Sequence, residues 1–329
     1  MIGRTALLML VMSLIGCGGG GPSESAGHGD DAKTLRIAVI PKGTTHDYWK
    51  SVHAGARQAA AELGDVEIVW NGPDDEKDKG GQIRIVDSFV AQHVDGICLA
   101  PIDRDALVAV VKRAKKRGIP TVIFDSALSD LTDIVSYVAT DNHHGGVVAG
   151  ERLAEVLGGK GGVILLRYQA GSESTEQRER GFLDVMKKHP GIKILSESQR
   201  VDSDTQKALT VSEGLLYDNR DAVNGVFTVC EPNNKGMLQA LKNRKMLGKV
   251  KFVGFDPDPL SVEALRKKQM DGIVLQNPVR MGYLAVKAMV AHLRGEKVDK
   301  RIPTGETLAT PDNMDDPKIH QLLFPKQLD

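Results

Sequence analysis

Polar and aromatic side chains follow several short apolar runs of the sequence, in a pattern that suits a hydroxyl-rich ligand. Such a ligand needs groups that donate and accept hydrogen bonds, and aromatic rings for its apolar faces. The polar candidates are Asp125, Asp256, Arg180 and Gln276, and the ring candidates are Tyr48 and Trp49. A hydrogen bond to a charged group contributes about 1.5–3 kcal/mol, and a micromolar complex needs about 8 kcal/mol. Three or four such bonds and one stacked ring therefore suffice for binding.

Each candidate also has a purely structural interpretation. Asp125 and Asp256 could cap the next helix or form an ion pair, since acidic residues are common after strands. Arg180 could be a solvated charge on a helix. Tyr48 and Trp49 are adjacent, so we do not expect both to point into one core. At least one of these rings is expected to face a cleft.

From Leu35 onward, short β-branched runs alternate with amphipathic helical stretches. The predicted strands are LRIAVIP, VEIVWNG, DGICLAP, PTVIFDS, YVATD, GVILLRY, KILSESQ, GVFTV, KFVGFD and GIVLQNP. The predicted helices span residues 48–63, 82–93, 106–117, 146–157, 176–189, 205–217, 234–245 and 279–294. Near-continuous apolar strands separated by helices indicate parallel sheets covered on both faces. The predicted fold class is therefore α/β, with doubly wound parallel sheets.

Ligands of doubly wound folds bind beyond the carboxyl ends of the strands. The residues that come shortly after predicted strands include Lys42, His46, Asp125, Thr140, Cys230, Glu231, Asp256 and Gln276. Polar and aromatic groups thus gather at one edge of the sheets, and we expect a cleft there.

The N-terminus predicts export and lipid anchoring. Residues 1–16 combine a basic start with a brief apolar run, which is typical of a signal peptide and too short to span a bilayer. Leu14-Ile15-Gly16-Cys17 has the spacing of a bacterial lipobox, so we expect Cys17 to be lipidated. The alternative is an ordinary cleaved signal with an incidental cysteine. Residues 17–33 are rich in Gly, Ser and Asp and predict a flexible tether.

Composition restricts the class of protein further. The chain has 43 Lys plus Arg and 43 Asp plus Glu, so there is no basic surplus for binding nucleic acid. Without leader and tether, about 300 of the 329 residues remain, which favours two lobes over one core. Cys98 and Cys230 lie in apolar runs and are predicted to be buried thiols rather than a disulfide framework.

No pattern for catalysis or a cofactor emerges. Neighbouring His143 and His144 cannot easily ligate one metal ion from a helix. From residue 34 onward the glycines match neither GxxxxGK[ST] nor GxGxxG, and there is no GxSxG nucleophile elbow. Cys230 beside Glu231 has no histidine nearby in sequence. We therefore expect neither an enzyme nor a cofactor or metal.

From about Leu35 to Pro303 the chain resembles bacterial periplasmic sugar-binding proteins of the ribose-binding type, which share their fold with LacI-like ligand domains. The segments that carry this resemblance, in order, are RIAVIPKGTTHDYWKSVHAGARQAA, DGICLAPIDRDAL, GIPTVIFDS, VATDNHHGGVVAGERL, STEQRERGF, VFTVCEPNNKGMLQAL and VGFDPDP with GIVLQNPVRMGYLAV. The resemblance implies two lobes joined by a hinge of three crossing segments. It implies ligand contacts at His46, Tyr48, Trp49, Asp125, Arg180, Asp256 and Gln276.

Three positions depart from the family pattern. Cys230 and Ala100 stand where ribose binders carry asparagine, and Ser203 stands where they carry an aromatic residue. Because a site built for specific hydroxyls rejects ligands that leave its groups unpaired, these departures argue against ribose itself. Lys42 and Glu231 lie close to the altered positions and are candidates to replace the lost contacts, which would also suit a sugar acid or an amino sugar.

The sequence thus predicts the monomeric substrate-binding component of an ABC sugar transporter, with a permease as partner and a lipid anchor to the membrane. Its first lobe is predicted to comprise residues 34–140 and 277–302, and its second lobe residues 141–276 and 303–329. An alternative is a sensory protein that presents a sugar or a non-sugar signalling molecule to a chemoreceptor or histidine kinase. A LacI-like regulator would need a DNA-binding helix-turn-helix before residue 35, which the leader and tether exclude.

Overall fold

The computed structural model describes residues 34–325, and the predicted signal peptide, lipidation site Cys17 and tether lie outside this range. The strands are β1 Leu35–Ile40, β2 Val66–Trp70, β3 Gly96–Leu99, β4 Thr121–Phe124, β5 Tyr137–Ala139, β6 Gly161–Leu166, β7 Ile192–Ser196, β8 Val223–Thr228, β9 Lys251–Phe255, β10 Gly272–Gln276, β11 Arg301–Pro303 and β12 Glu306–Ala309. The helices are α1 Asp47–Leu63, α2 Lys79–Ala91, α3 Val108–Lys116, α4 Asn142–Val156, α5 Glu173–Met186, α6 Thr205–Asp218, α7 Glu231–Asn243, α8 Pro259–Arg266, α9 Pro278–Leu293 and α10 Pro317–Leu323.

The strands form two six-stranded sheets, in the orders β11-β5-β4-β3-β1-β2 and β12-β10-β9-β8-β6-β7. Neighbouring strands pair in parallel, apart from β12, which runs antiparallel to β10. The α/β prediction with parallel-sheet lobes is confirmed. The short elements α8, α10, β11 and β12 were not predicted.

The chain crosses between the two lobes at three places. It passes from β5 to α4 through residues 140–141, from β10 to α9 at Asn277, and from β11 to β12 through residues 304–305. Pro303 is the last residue of β11 in the first sheet, so the first lobe extends one residue beyond the predicted 302. Among residues 34–325, no helix is both long and apolar enough to cross a membrane.

Each sheet is covered by helices and has apolar clusters on both of its faces. In the first lobe, Ile37, Val39 and Cys98 pack towards α1 and α9, while Ile40 and Leu99 belong to the cluster on the opposite face. The second lobe repeats this arrangement with two further clusters. Because both faces are buried, the strands are almost continuously apolar, which is why the sequence revealed them.

Helices α1 and α9 cross so closely that glycine is required at the contact. A Cβ atom on Gly55 would lie 1.8 Å from the carbonyl oxygen of Val279, and one on Gly282 would lie 2.0 Å from that of Val52. The second lobe repeats the device between α4 and α5, where a Cβ on Gly181 would lie 2.0 Å from the carbonyl oxygen of His143.

We predict that Gly55→Ala lowers the free energy of unfolding by about 1–3 kcal/mol, because the added methyl group forces the two helices apart. Gly214→Ala is the matched control: Gly214 lies inside α6, and apart from the backbone around it no atom lies within 4 Å of the added Cβ. This control should be stabilised by about 0.5–1 kcal/mol, since alanine loses less backbone entropy in a helix. Urea unfolding of both variants measures the difference, and equal stabilities would contradict the close crossing.

Candidate functional site

A cavity of about 410 Å³, including its mouth, lies where the carboxyl ends of the two sheets face each other. Its lining residues are Lys42, His46, Tyr48, Trp49, Glu76, Asp125, Tyr168, Ser174, Thr175, Arg178, Cys230, Glu231, Pro232, Asp256 and Gln276. Both lobes contribute to this lining. Most of the lining residues carry polar or charged side chains, and Tyr48, Trp49 and Tyr168 contribute aromatic rings.

Asp125 and Asp256 occupy equivalent positions in the two lobes. Each directly follows the third strand of its sheet, β4 or β9, and each has a left-handed backbone, with φ of 63° and 67°. Both side chains are buried, and neither caps a helix; Asp141 and Asp258 do that for α4 and α8. Left-handed non-glycine residues are costly and concentrate at functional sites.

On the first lobe, the carboxylate of Asp125 is held by two neighbours. Lys42 Nζ lies 2.8 Å from Asp125 Oδ2, and both side chains are only 4% exposed. The Tyr48 hydroxyl donates to Asp125 Oδ1 at 2.9 Å. Lys42 Nζ also donates to Ser174 Oγ on the second lobe, at 3.1 Å. Ser172 Oγ lies 3.5 Å from the same nitrogen, so oxygen atoms of both lobes surround the ammonium group.

On the second lobe, Arg178 pairs with Asp256. The guanidinium donates to Asp256 Oδ2 at 3.3 Å, to the carbonyl oxygen of Val229 at 2.9 Å and to Asn142 Oδ1 at 2.9 Å. It also stacks over the Phe255 ring, with Cζ 3.8 Å from the ring centroid. Burial raises the pKa of Asp256 and outweighs the opposing effect of Arg178.

Gln276 leaves one acceptor open beside Asp256. Its Nε2 donates to Asp256 Oδ1 at 2.8 Å. Its Oε1 is buried and has no hydrogen-bond partner within residues 34–325. A buried acceptor without a partner is costly, so this atom is suited to receive a ligand hydroxyl.

Arg180 does not line the cavity, and the prediction for this residue is corrected to Arg178. Arg180 is 54% exposed and lies 3.9 Å from Glu176 on the outer face of α5. Residues two apart on a helix differ by about 200° in direction, so only one of the two arginines can face inward. The inward face carries Ser174, Thr175 and Arg178.

Thr140 is the second predicted residue that does not line the cavity. It is buried at the first crossing between the lobes, where its hydroxyl lies 3.3 Å from that of Thr304 and 3.5 Å from the carbonyl oxygen of Gly305. Two crossing segments are thus bonded to each other. The other predicted residues, Lys42, His46, Tyr48, Trp49, Asp125, Cys230, Glu231, Asp256 and Gln276, all line the cavity.

The sequence analysis missed Glu76, Tyr168, Ser174, Thr175, Arg178 and Pro232. Tyr168 follows β6 closely, so the rule that located Asp125 and Asp256 could have found it. Glu76 lies in the loop between β2 and α2, which is too long for that rule. Ser203 stands where ribose binders carry an aromatic residue. It does not line the cavity, and its hydroxyl donates a hydrogen bond to Asp75 at 2.8 Å. The ring of Tyr168 lines the cavity.

The carboxylates of the cavity each lie beside a basic side chain. Besides the pairs already described, His46 Nδ1 lies 2.9 Å from Glu76 Oε1 and Lys235 Nζ lies 2.5 Å from Glu231 Oε1. Burial lowers the pKa of His46, but its hydrogen bond to Glu76 and the charge there raise it more. Burial raises the pKa of Glu231 despite Lys235.

The remaining polar candidates have structural partners. His143 lies 3.1 Å from Asp184, and His144 lies 2.7 Å from Glu306. Across residues 34–325, no cluster of three or more His, Cys, Asp or Glu side chains could hold a metal ion. Cys98 and Cys230 are both free and buried, and burial raises the pKa of each thiol.

Comparisons with known proteins agree with this geometry. The periplasmic binding protein domain family matches residues 37–297. The D-allose-binding periplasmic protein of Escherichia coli is 30% identical over 81% of this chain and 86% of its own length. The ribose import binding protein of Haemophilus influenzae is 29% identical over 81% of this chain and 88% of its own length.

Two solved structures are similar in both fold and sequence. An ABC transporter solute-binding protein from Agrobacterium vitis, bound to α-D-tagatopyranose, has a TM-score of 0.84 and 32% identity, covering 90% of this chain and 100% of that one. A carbohydrate transporter solute-binding protein from Agrobacterium radiobacter, in complex with D-arabinose, has a TM-score of 0.84 and 35% identity, covering 89% and 99%.

We predict that Arg178→Met lowers the free energy of unfolding by about 3 kcal/mol at pH 8, since it leaves Asp256 buried without its cation. The loss should be smaller at pH 5, because the carboxyl pKa is already raised and a protonated Asp256 needs no cation. Arg180→Ala is the control and should change the stability by less than about 0.5 kcal/mol. Urea unfolding at the two pH values tests this, and equal effects of the two substitutions would refute the assignment.

Proposed function

Because the chain belongs to the periplasmic binding protein domain family, of the ribose-binding type, we propose that it is the substrate-binding component of an ABC sugar transporter. In this role it binds a monosaccharide or a related polyol between its lobes. The observation that carries the proposal is the composition of the cavity wall, to which both lobes contribute. Paired charged side chains, hydrogen-bond acceptors with free capacity and aromatic side chains line the same buried space. Its relatives include proteins named for D-allose and ribose, and similar structures hold tagatose and arabinose.

The balance of donors and acceptors supports an uncharged, hydroxyl-rich ligand. Lys42, Arg178 and His46 are occupied by carboxylates and other protein acceptors. Among the described residues that line the cavity, no cation is therefore free for the carboxylate of a sugar acid. Gln276 Oε1 has no hydrogen-bond donor within residues 34–325, and a carboxylate oxygen can accept more than one hydrogen bond. The cavity can therefore accept hydrogen bonds from the hydroxyl groups of a ligand. The rings of Tyr48, Trp49 and Tyr168 line the same space and can pack against the C–H faces of a sugar.

The three crossings between the lobes allow a hinge to open and close the cavity. In the structure the lobes touch across it, through contacts such as Lys42 to Ser174 and the Ser174 N–H to Ser126 Oγ at 3.0 Å. A ligand bound by both walls favours this closed arrangement and shifts the population towards it. The closed form is the one that a transporter permease would recognise.

A screen by thermal shift tests the ligand class. We expect a pentose, hexose or polyol at 100 times its dissociation constant to stabilise the protein by about 2.7 kcal/mol, whereas sugar acids should give no shift. Asp125→Asn should lose most of this response, and Arg180→Ala, on the outer face of α5, should keep it. Stabilisation by nucleosides or other non-sugar ligands alone would contradict the sugar assignment.

We further propose that the protein is exported and held at the membrane by a lipid on Cys17. The short apolar run before that cysteine and the polar stretch behind it support this proposal. Expressed in a bacterial host, the full chain should partition into the detergent phase of a Triton X-114 extraction, and Cys17→Ser should move it to the aqueous phase. Equal partitioning of both forms would rule out the anchor.

A further inference from the structure

Glu76 combines cavity lining with direct contacts to both lobes. It lies in the loop between β2 and α2 of the first lobe, and its side chain is buried against the cavity. None of the sequence patterns pointed to it, because it neither follows a strand directly nor starts a helix. Its carboxylate nevertheless contacts three other side chains that line the cavity.

The carboxylate of Glu76 is shared between three side chains. On its own lobe, Oε1 accepts a hydrogen bond from Trp49 Nε1 at 2.9 Å and lies 2.9 Å from His46 Nδ1. From the second lobe, the Tyr168 hydroxyl donates to Oε2 at 3.1 Å. Oε1 thus has two partners and Oε2 has one, and a carboxylate oxygen can accept a further hydrogen bond.

The same loop makes two more contacts with the second lobe. Gln169 Nε2 donates to the carbonyl oxygen of Glu76 at 3.0 Å, and Ser203 Oγ donates to Asp75 Oδ1 at 2.8 Å. An ion pair away from this loop also joins the two lobes. Arg104 Nη1, on the first lobe, donates to Glu176 Oε2 on the second lobe at 2.8 Å, and neither residue lines the cavity. This pair therefore provides an internal standard for the effect of closure alone.

We propose that Glu76 is a specificity-determining residue, whose Oε2 accepts a hydrogen bond from a ligand hydroxyl in the cleft that Tyr168 closes. This inference rests on the proposed function and names a residue that selects among sugars. A ligand that presents a hydroxyl to Oε2 satisfies the remaining acceptor. A ligand without that hydroxyl leaves a buried carboxylate oxygen short of a partner and binds more weakly.

The ionised carboxylate is needed for this role. Burial raises the pKa of Glu76, but the hydrogen bond and charge of His46, the charge of Lys42 and the Trp49 hydrogen bond lower it more, so the group is ionised at neutral pH. A glutamine amide has only one acceptor oxygen. When the amide oxygen of the Glu76→Gln variant accepts the hydrogen bonds of Trp49 and His46, its NH2 group takes the place of Oε2. The Tyr168 hydroxyl and the ligand hydroxyl then face a donor, although both need an acceptor there.

The test compares three substitutions by isothermal titration with D-ribose, D-allose, D-arabinose, D-tagatose and xylitol as probes. Glu76→Gln should raise the dissociation constant of the best-binding probe at least 30-fold and change the order of affinities. Tyr168→Phe removes the hydroxyl that reaches Glu76 across the cleft and should weaken all probes by a similar factor of about 3 to 10, which corresponds to the loss of one hydrogen bond. Arg104→Ala should weaken them equally and by less than 3-fold.

Small-angle scattering of the ligand-free proteins supplies a second measurement that needs no ligand. Glu76→Gln and Tyr168→Phe should both show a larger radius of gyration than the wild type, because the lobes lose a shared contact. Dissociation constants of Glu76→Gln that stay within 3-fold of the wild type, or that change in parallel with those of Tyr168→Phe for every probe, would overturn the role in specificity. Failure of the wild type to bind any probe would overturn the proposed function instead, and unchanged scattering would then also overturn the contact between lobes.

Discussion

Four carboxylates share one buried cavity, and each of them lies beside a basic side chain. Asp125 pairs with Lys42, Asp256 with Arg178, Glu76 with His46 and Glu231 with Lys235. Removing an isolated carboxylate from water costs several kcal/mol, and removing one partner from a buried pair is strongly destabilising. The cations are therefore part of the architecture as well as of the site. What stays available to a ligand is the spare acceptor capacity of the carboxylates and of Gln276.

The two lobes share two structural features, an aspartate with a left-handed backbone and a close helix crossing at glycines. Each places an aspartate with a left-handed backbone after the third strand of its sheet, which brings two carboxylates to one cavity. Each also brings a pair of helices into close contact at glycines, Gly55 and Gly282 in one lobe and Gly146 and Gly181 in the other. The strained aspartates are tolerated because the cations and the packed strands around them fix their position.

Closure and recognition are linked because several side chains serve both. Lys42 neutralises Asp125 and also reaches Ser174 on the other lobe, and Glu76 holds Trp49 while accepting a hydrogen bond from Tyr168. A ligand that fits between these groups gains from contacts that form only when the lobes meet. Its affinity therefore includes the free energy of closing the hinge, which is the usual basis of a population shift between open and closed states.

The two-lobed α/β architecture and most of the residues that line the cavity were predictable from the amino-acid sequence. Buried parallel strands must be apolar along their length, and ligands of such sheets bind at the strand ends, so Asp125, Asp256 and Gln276 could be identified without coordinates. Arg178 could also have been chosen over Arg180 from the sequence, because it lies four and seven residues before Phe182 and Val185 and therefore shares their buried face of α5. The positions of Thr140 in the hinge and of Glu76 at the cavity follow only from the tertiary structure, since loop positions are fixed by long-range contacts that leave no periodic signal in the sequence.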